Sequence, residues 1–323
     1  TPMFFGQKNQ WVVNYKANNN GESVENEGNL LGFGSRWEGR RSQAGQKSWT
    51  SVETAGIPNV PEKRYLLNNV HFLSANLLTS PFKNKEWELK ANVTYTNNDV
   101  ERDSYTKTVY DIIEADGNLA GRTLEQSRSN DFYTNASKAE LIFTKNAKKG
   151  FFKNTTTWNG FWNNDRGFSS LDTNIAAQTI FGNQSLSSPS GSFQNSLSTI
   201  IPWKDKLVNV MSYFKYQRDK QNMEVNPASY TDYFTGVTSS GYDTYRQSAL
   251  SETLEVNHSA SVGFTYKKLT IIPEIGLNMN FNNLKSILSG SSDGTYYSLA
   301  GDNQNNVDWN ELTPYTQVSF NYK

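Results

Sequence analysis

The chain has 323 residues, 31 basic against 31 acidic side chains, no cysteine, and 13% aromatic residues. Formal neutrality argues against a nucleic-acid partner, and the lack of cysteine excludes a disulfide framework while suiting an oxidising envelope compartment. No apolar run reaches the roughly 18 residues of a helical span, but a strand-built span stays open, because lipid-facing and lumen-facing residues alternate and keep the mean hydropathy negative.

Thr1-Pro2-Met3-Phe4 has no basic segment followed by an apolar one and a small-residue cleavage site, so it does not read as a signal peptide. Residues 21–61 alternate poorly and carry Gly32, Gly34, Gly39, Pro58 and Pro61; they are predicted to be a long loop folded over or into a barrel mouth. A noisy strand follows at 65–78. Trp87, Leu89, Ala91, Val93 and Tyr95 then alternate cleanly with Glu86, Glu88, Lys90, Asn92 and Thr94, the pattern of a strand with two unlike faces. Residues 97–131 are predicted to be a long polar loop whose Asp116-Gly117 turn signal lifts it as a hairpin.

Noisier strands are expected at 132–144, 151–162, 193–201, 207–216 and 312–322. The strongest pattern is a pair of stretches at 254–266 and 269–281. Leu254, Val256, His258, Ala260, Val262, Phe264 and Tyr266 take every second place in the first, and Leu269, Ile271, Pro273, Ile275, Leu277, Met279 and Phe281 in the second. Only Lys267-Lys268 separates them. Short connections at 80–85, 146–150, 202–206 and 267–268 alternate with long polar segments at 97–131, 163–190, 219–245 and 283–306. Long two-faced strands with short turns at one rim and long loops at the other predict an all-β antiparallel transmembrane barrel. About ten spanning strands are expected. A soluble β-sandwich or jelly-roll glycan-binding module is the competing fold; it calls for shorter strands and no such loop asymmetry.

Several stretches resemble the barrel region of Bacteroidetes-type outer-membrane TonB-dependent receptor-like proteins. They are Asn9-Gln10-Trp11-Val12-Val13-Asn14-Tyr15-Lys16-Ala17-Asn18-Asn19, Glu62-Lys63-Arg64-Tyr65-Leu66-Leu67-Asn68-Asn69-Val70-His71, Leu89-Lys90-Ala91-Asn92-Val93-Thr94-Tyr95, Phe152-Lys153-Asn154-Thr155-Thr156-Thr157-Trp158-Asn159-Gly160 and Leu312-Thr313-Pro314-Tyr315. Such proteins enclose a plug within about 22 strands. The resemblance implies that residues 1–323 are one barrel region, an internal fragment of a larger barrel, lacking the plug and the TonB-engaging segment. It implies an outer-membrane location, nutrient uptake driven through TonB by the missing N-terminal parts, and a surface lipoprotein as partner. The alternative is a surface glycan-binding or attachment protein without transport.

No residue is assigned to catalysis, no cofactor is expected, and the chain is read as a non-enzyme. Gly290-Ser291-Ser292-Asp293-Gly294 has nucleophile-elbow spacing but lies in a Ser/Gly-rich stretch without a following helix. Of the two histidines, His71 and His258, the only candidates for a neutral-pH base, His258 points away from Ser259 across the strand and is read as an interfacial or packing residue. Asp99-Val100-Glu101-Arg102-Asp103 could gather oxygens round a cation but is far less specific than an EF-hand loop. It is read as a charged rim, and no metal site is assigned. Glu86, Glu88, Lys90, Glu255, Glu274 and Asn278 are expected to face the lumen. Trp87, Trp203 and Tyr266 are expected in the interfacial girdle, with the lipid bilayer as partner. Trp158 and Trp162 approach a long loop and are the candidates for stacking on substrate.

Overall fold

A computed structural model describes residues 1–20, 46–61, 64, 65, 67–83, 86–113, 119–147, 150–173, 178–204, 206–227, 242–299 and 304–322. Among them there is no helix. Thirteen strands form one antiparallel sheet: β1 (Met3–Phe5), β2 (Asn9–Asn18), β3 (Leu67–Thr79), β4 (Trp87–Ile113), β5 (Leu119–Asn146), β6 (Phe151–Thr173), β7 (Gln178–Trp203), β8 (Lys206–Pro227), β9 (Thr244–Val262), β10 (Phe264–Tyr266), β11 (Leu269–Ser291), β12 (Tyr297–Ser298) and β13 (Gln304–Tyr322). Each long strand pairs with its sequence neighbour, β2 through β9 and then β11 and β13, so ten long strands make an unbroken meander. β10 continues the line of β9 against β11, and β12 adds to the far end of β11. Among the described residues no pairing joins β1 or β2 to β13, so the sheet is not closed.

The register puts each predicted alternation on one side. Leu89 lies opposite Phe143, Val93 opposite Ala139, Val256 opposite Met279 and Leu277 opposite His258, giving an apolar face. Asn92 lies opposite Asn76 and Asn278 opposite Asn257, giving a polar one. Strand 65–78 reads noisily because its polar face, with Asn68, Ser74 and Asn76, also carries the apolar Val70 and Phe72. Leu73 and Leu77 sit on the outer side, while Val70 and Phe72 are 1% and 2% exposed on the other.

The long polar segments differ from the expectation of loops. The hairpin foreseen within 97–131 runs as paired strand through 97–113 and 119–131, although Asp116-Gly117 lies outside the described residues. Much of 163–190 and the first part of 219–245 are likewise strand, as are the two ends of 283–306. β4 and β5, with 27 and 28 residues, reach about 90 Å at ~3.4 Å per residue. A polar strand interior gives the same sequence signal as a loop when neither face is apolar, and this is why these stretches read as loops.

Local chemistry explains where the ladders falter. Pro273 has no N–H, and pairing of β9 with β11 lapses opposite it, at Val262 and Gly263. Pro189 does the same between β7 and β8, where pairs stop at Ser187–Asn222 and resume at Ser190–Asp219. Between β5 and β6 the gap lies at Thr134 and Asn135, and there the Asn163 side chain accepts the Asn135 N–H at 3.1 Å. The Lys267-Lys268 turn joins the pair Tyr266–Leu269 with Lys267 at φ 54°, the sign a tight hairpin needs.

Gly276 lies opposite Tyr315, whose ring crosses the glycine and whose hydroxyl donates to Glu274 at 2.9 Å. A β-carbon at Gly276 would come within 2.3 Å of that ring. Gly276→Ala is therefore expected to weaken β11–β13 by about 1 kcal/mol, against the gain that alanine brings to an ordinary strand. Faster hydrogen exchange in β13 is the readout, and unchanged or slower exchange would contradict the role given to the Tyr315 ring.

Candidate functional site

Among the described residues, the polar face carries a dense set of side-chain contacts. Asn130 on β5, Asn163, Asp165 and Gly167 on β6, Gln184, Leu186 and Ser188 on β7, Gln217, Asp219, Gln221 and Met223 on β8, and Ser251 and Thr253 on β9 all share it by register. Asp219, Asn130 and Gln221 are 1%, 2% and 3% exposed. Buried amides and carboxylates need partners. Here a second segment supplies them.

Residues 46–56 lie across these five strands. The Lys47 N–H donates to Asp219 Oδ1 at 3.3 Å, and the Trp49 and Thr50 N–H groups donate to Gln221 Oε1 at 2.8 and 3.2 Å. Farther along, the Glu53 N–H donates to Gln184 Oε1 and the Ala55 N–H to Asn130 Oδ1, both at 2.6 Å. Asn130 Nδ2 returns a bond to the Glu53 carbonyl at 2.8 Å. Four inter-strand gaps of about 4.8 Å need about 19 Å, which the nine residues from Lys47 to Ala55 span in extended form. The segment therefore runs across the strands as a strap and joins none of them.

Its side chains fix its position. Val52, 3% exposed, packs on Leu186 and Met223 with Phe132 and Val225 beside them. The Glu53 carboxylate accepts from Arg128 Nε at 2.7 Å and Nη2 at 2.5 Å. Lys47 Nζ donates to Ser251 and Thr253, each at 3.2 Å, and Asn163 Nδ2 donates to Gln46 Oε1 at 2.9 Å. Gly167 fits beneath, since a β-carbon there would lie 3.3 Å from both the Glu53 carbonyl and Val52. Sequence reading placed residues 21–61 over or into a mouth. Residues 46–61 are described without strand, and 46–56 lie on the polar face, whereas 21–45 fall outside the described residues. The polar partners went unnoticed because Asn, Gln and Asp in a two-faced strand signal only a wet face.

Farther along the same face is a cavity of about 730 Å³. Tyr213, Glu255, Asn257, Glu274, Asn278 and Tyr315 line it, so three of the residues expected in the lumen, Glu255, Glu274 and Asn278, come together there. Glu88 and Lys90 share the polar face of β4 and form an ion pair at 3.1 Å, with Glu86 one residue before the strand.

The remaining candidates lie elsewhere. Trp158 and Trp162 have ring centroids 6.1 Å apart over Gly160, on the apolar face, opposite to the one that carries Glu255, Glu274 and Asn278. With Phe193, Tyr216 and Arg218 they border a hollow of about 400 Å³. Trp87 stacks on Phe143 at 4.6 Å and meets Phe152 at 5.6 Å, with Lys145 Nζ 5.3 Å from its ring. Trp203 and Tyr266 are 60% and 71% exposed beside Lys204 and Lys267. All three girdle candidates thus pair an aromatic ring with a lysine next to a short turn.

His71 is joined to Tyr15 Oη through Nδ1 at 2.7 Å, and His258 faces the apolar side while Ser259 faces the polar one. Ser291 ends β11, and the bend beyond it is closed by the Thr295 N–H on Asp293 Oδ1 at 2.8 Å. Asp99, Glu101 and Asp103 share one side of β4. Burial, then a hydrogen bond to Asp131 and the Asp131 and Glu101 charges, push the Asp99 carboxyl above its ordinary range. Among the described residues no group of three His, Cys, Asp or Glu side chains is arranged to hold a metal ion.

Comparison with protein-family models, with curated proteins and with solved structures returns no match to this chain.

Asp165 lies between Asn163 and Gly167 on β6, on the same face as Leu186. Burial, and then the Asp131 charge, push its carboxyl up to about 6. The folded state thus holds this proton more tightly than the unfolded chain. Stability contributed here is present below about pH 4 and falls as pH rises to about 6. Asp165→Asn is expected to flatten that dependence and to stabilise the protein above pH 6. Denaturant titrations at pH 4.0, 5.0, 6.0 and 7.5 measure it, and parallel curves for the two proteins would refute the assignment.

Proposed function

We propose that this chain forms part of the wall of an outer-membrane β-barrel that takes up nutrients. Its plug and its coupling to TonB would be supplied by parts of the protein outside these residues, and a surface lipoprotein would act as partner. The observation that carries the reading is the ten-strand meander whose half nearer the short turns has one exposed apolar face, with an opposite polar face lined by carboxylates, amides and a strap. Leu141, Val93 and Ile275 are 49%, 51% and 64% exposed on the apolar side, an arrangement that suits lipid and is costly in water. Lysine beside aromatic rings at the short turns supports the same placement. External segments would capture the solute, and the polar face would form one side of its path.

A surface protein that binds glycans without transport is the second reading, favoured by the paired Trp158 and Trp162 rings. Fractionation and detergent dependence separate a membrane wall from a soluble module, and solute uptake by cells carrying the whole protein separates transport from attachment.

The lipid contact has a quantitative test. Leu141→Arg is expected to cost about 2–4 kcal/mol in refolding into lipid vesicles, with Asn278→Arg on the polar face costing much less. In a water-facing sheet both changes stay near about 0.5 kcal/mol, and that result would overturn the membrane placement.

A further inference from the structure

The contacts on the strap fall unevenly between its main chain and its side chains. Five of its backbone N–H groups, those of Lys47, Trp49, Thr50, Glu53 and Ala55, are bonded by side chains from three strands. Among the described residues, no backbone–backbone hydrogen bond ties residues 46–56 to the sheet. The wall therefore reads the strap as an extended peptide, through Asn130, Gln184, Asp219 and Gln221. These are positioned by β5, β7 and β8 and do not depend on the strap for their own strand pairing. Detaching the strap breaks no sheet ladder. It exposes a row of amide and carboxylate oxygens set to accept main-chain N–H groups, with an apolar seat at Leu186 and Met223 and a guanidinium at Arg128.

The geometry points to this track as a binding site for an extended peptide, with residues 46–56 as a ligand held in cis. Side-chain amides that accept backbone N–H groups carry little sequence preference, as in strand addition. Selectivity comes from three places. A β-branched or small apolar residue fits where Val52 sits, an acidic residue at the next position meets Arg128, and a lysine six positions before that acid reaches Ser251 and Thr253. A sugar offers hydroxyls but neither the regular N–H row nor the acid. The inference concerns the polar face alone and stands whether or not the wall belongs to a transporter.

A tethered occupant lowers apparent affinity by the fraction of time the site is free. The probe is a fluorescein-labelled peptide with the sequence of residues 46–56, and the control replaces its valine by aspartate and its glutamate by lysine. Val52→Asp in the full chain puts a carboxylate against Leu186 and Met223 and releases the strap. The labelled peptide is expected to bind this variant about tenfold or more tighter than the wild type. Adding Gln184→Ala and Gln221→Ala should abolish that binding, and the control peptide should not bind. A β-rich Val52→Asp protein that ignores the peptide, or takes the control equally well, overturns the proposal.

Should Val52→Asp fail to fold, Val52→Cys serves, since the chain has no other cysteine. Excess peptide should then speed maleimide labelling of Cys at position 52 about fivefold or more, by competing the strap off. A labelling rate indifferent to the peptide refutes the site. Peptide binding that persists in a chain found to be soluble would remove the membrane reading and leave this one standing.

Discussion

The constraint on which the rest depends is the two-residue period of a strand, imposed through one continuous register. From β2 to β13 every long strand pairs with the next in sequence, so a slip of one residue anywhere would turn a whole strand inside out. Clean alternation in β4, β9 and β11 fixes their faces, and pairing carries that choice to strands whose own sequences decide little. β6 is such a strand. Its polar side holds the buried Thr155, Thr157 and Asn159, and its apolar side holds Asn154 and Thr156 beside Trp158. Only its place between β5 and β7 sets which way these residues point.

A polar face built this way has to be satisfied. Where water reaches it, solvent does so. Where a segment covers it, that segment must bring donors for each amide oxygen it hides, because an unpaired buried group costs about 1–3 kcal/mol. The strap brings backbone N–H groups, since its side chains are mostly small or hydroxylated. It also lacks the alternation that would let it join the sheet, and Pro58 and Pro61 follow it. Lying across the strands on the polar side leaves its N–H groups free for side chains. The same property makes the track indifferent to much of the sequence that occupies it.

How much of this was legible follows from the physics of the signal. The all-β antiparallel architecture, the run of about ten long strands and the hairpin beyond residue 97 could be read because apolar periodicity and turn residues are local. The upper halves of β6, β7 and β8 could not. Their two faces are both polar, as at Asn163 and Asn164 or Gln217 and Arg218, and periodicity vanishes when the faces match. The polar face was partly legible: Glu255, Glu274 and Asn278 sit in alternating positions, and the register brings them to one cavity on that face. The amide track was not, because Asn130, Gln184 and Gln221 come from three hairpins, and nothing in any one strand marks its neighbour. Trp158 and Trp162 were legible as a pair four residues apart on one face, but sequence did not tell which face that was.

The apolar side poses the remaining physical question, and its exceptions help to answer it. Asn154 and Asn195 lie on that side and bond each other reciprocally, at 3.1 and 3.0 Å, while Asn195 Nδ2 also reaches Thr156 Oγ1 at 2.7 Å. A polar pair on a water-facing sheet gains little from such closure, since solvent competes for every bond. In hydrocarbon the closure is required, because no solvent is present to take the donors. Ile275, Leu312 and Phe320, 64–66% exposed on the same side, have the opposite preference and are costly only in water. Both kinds of residue support the proposed membrane placement.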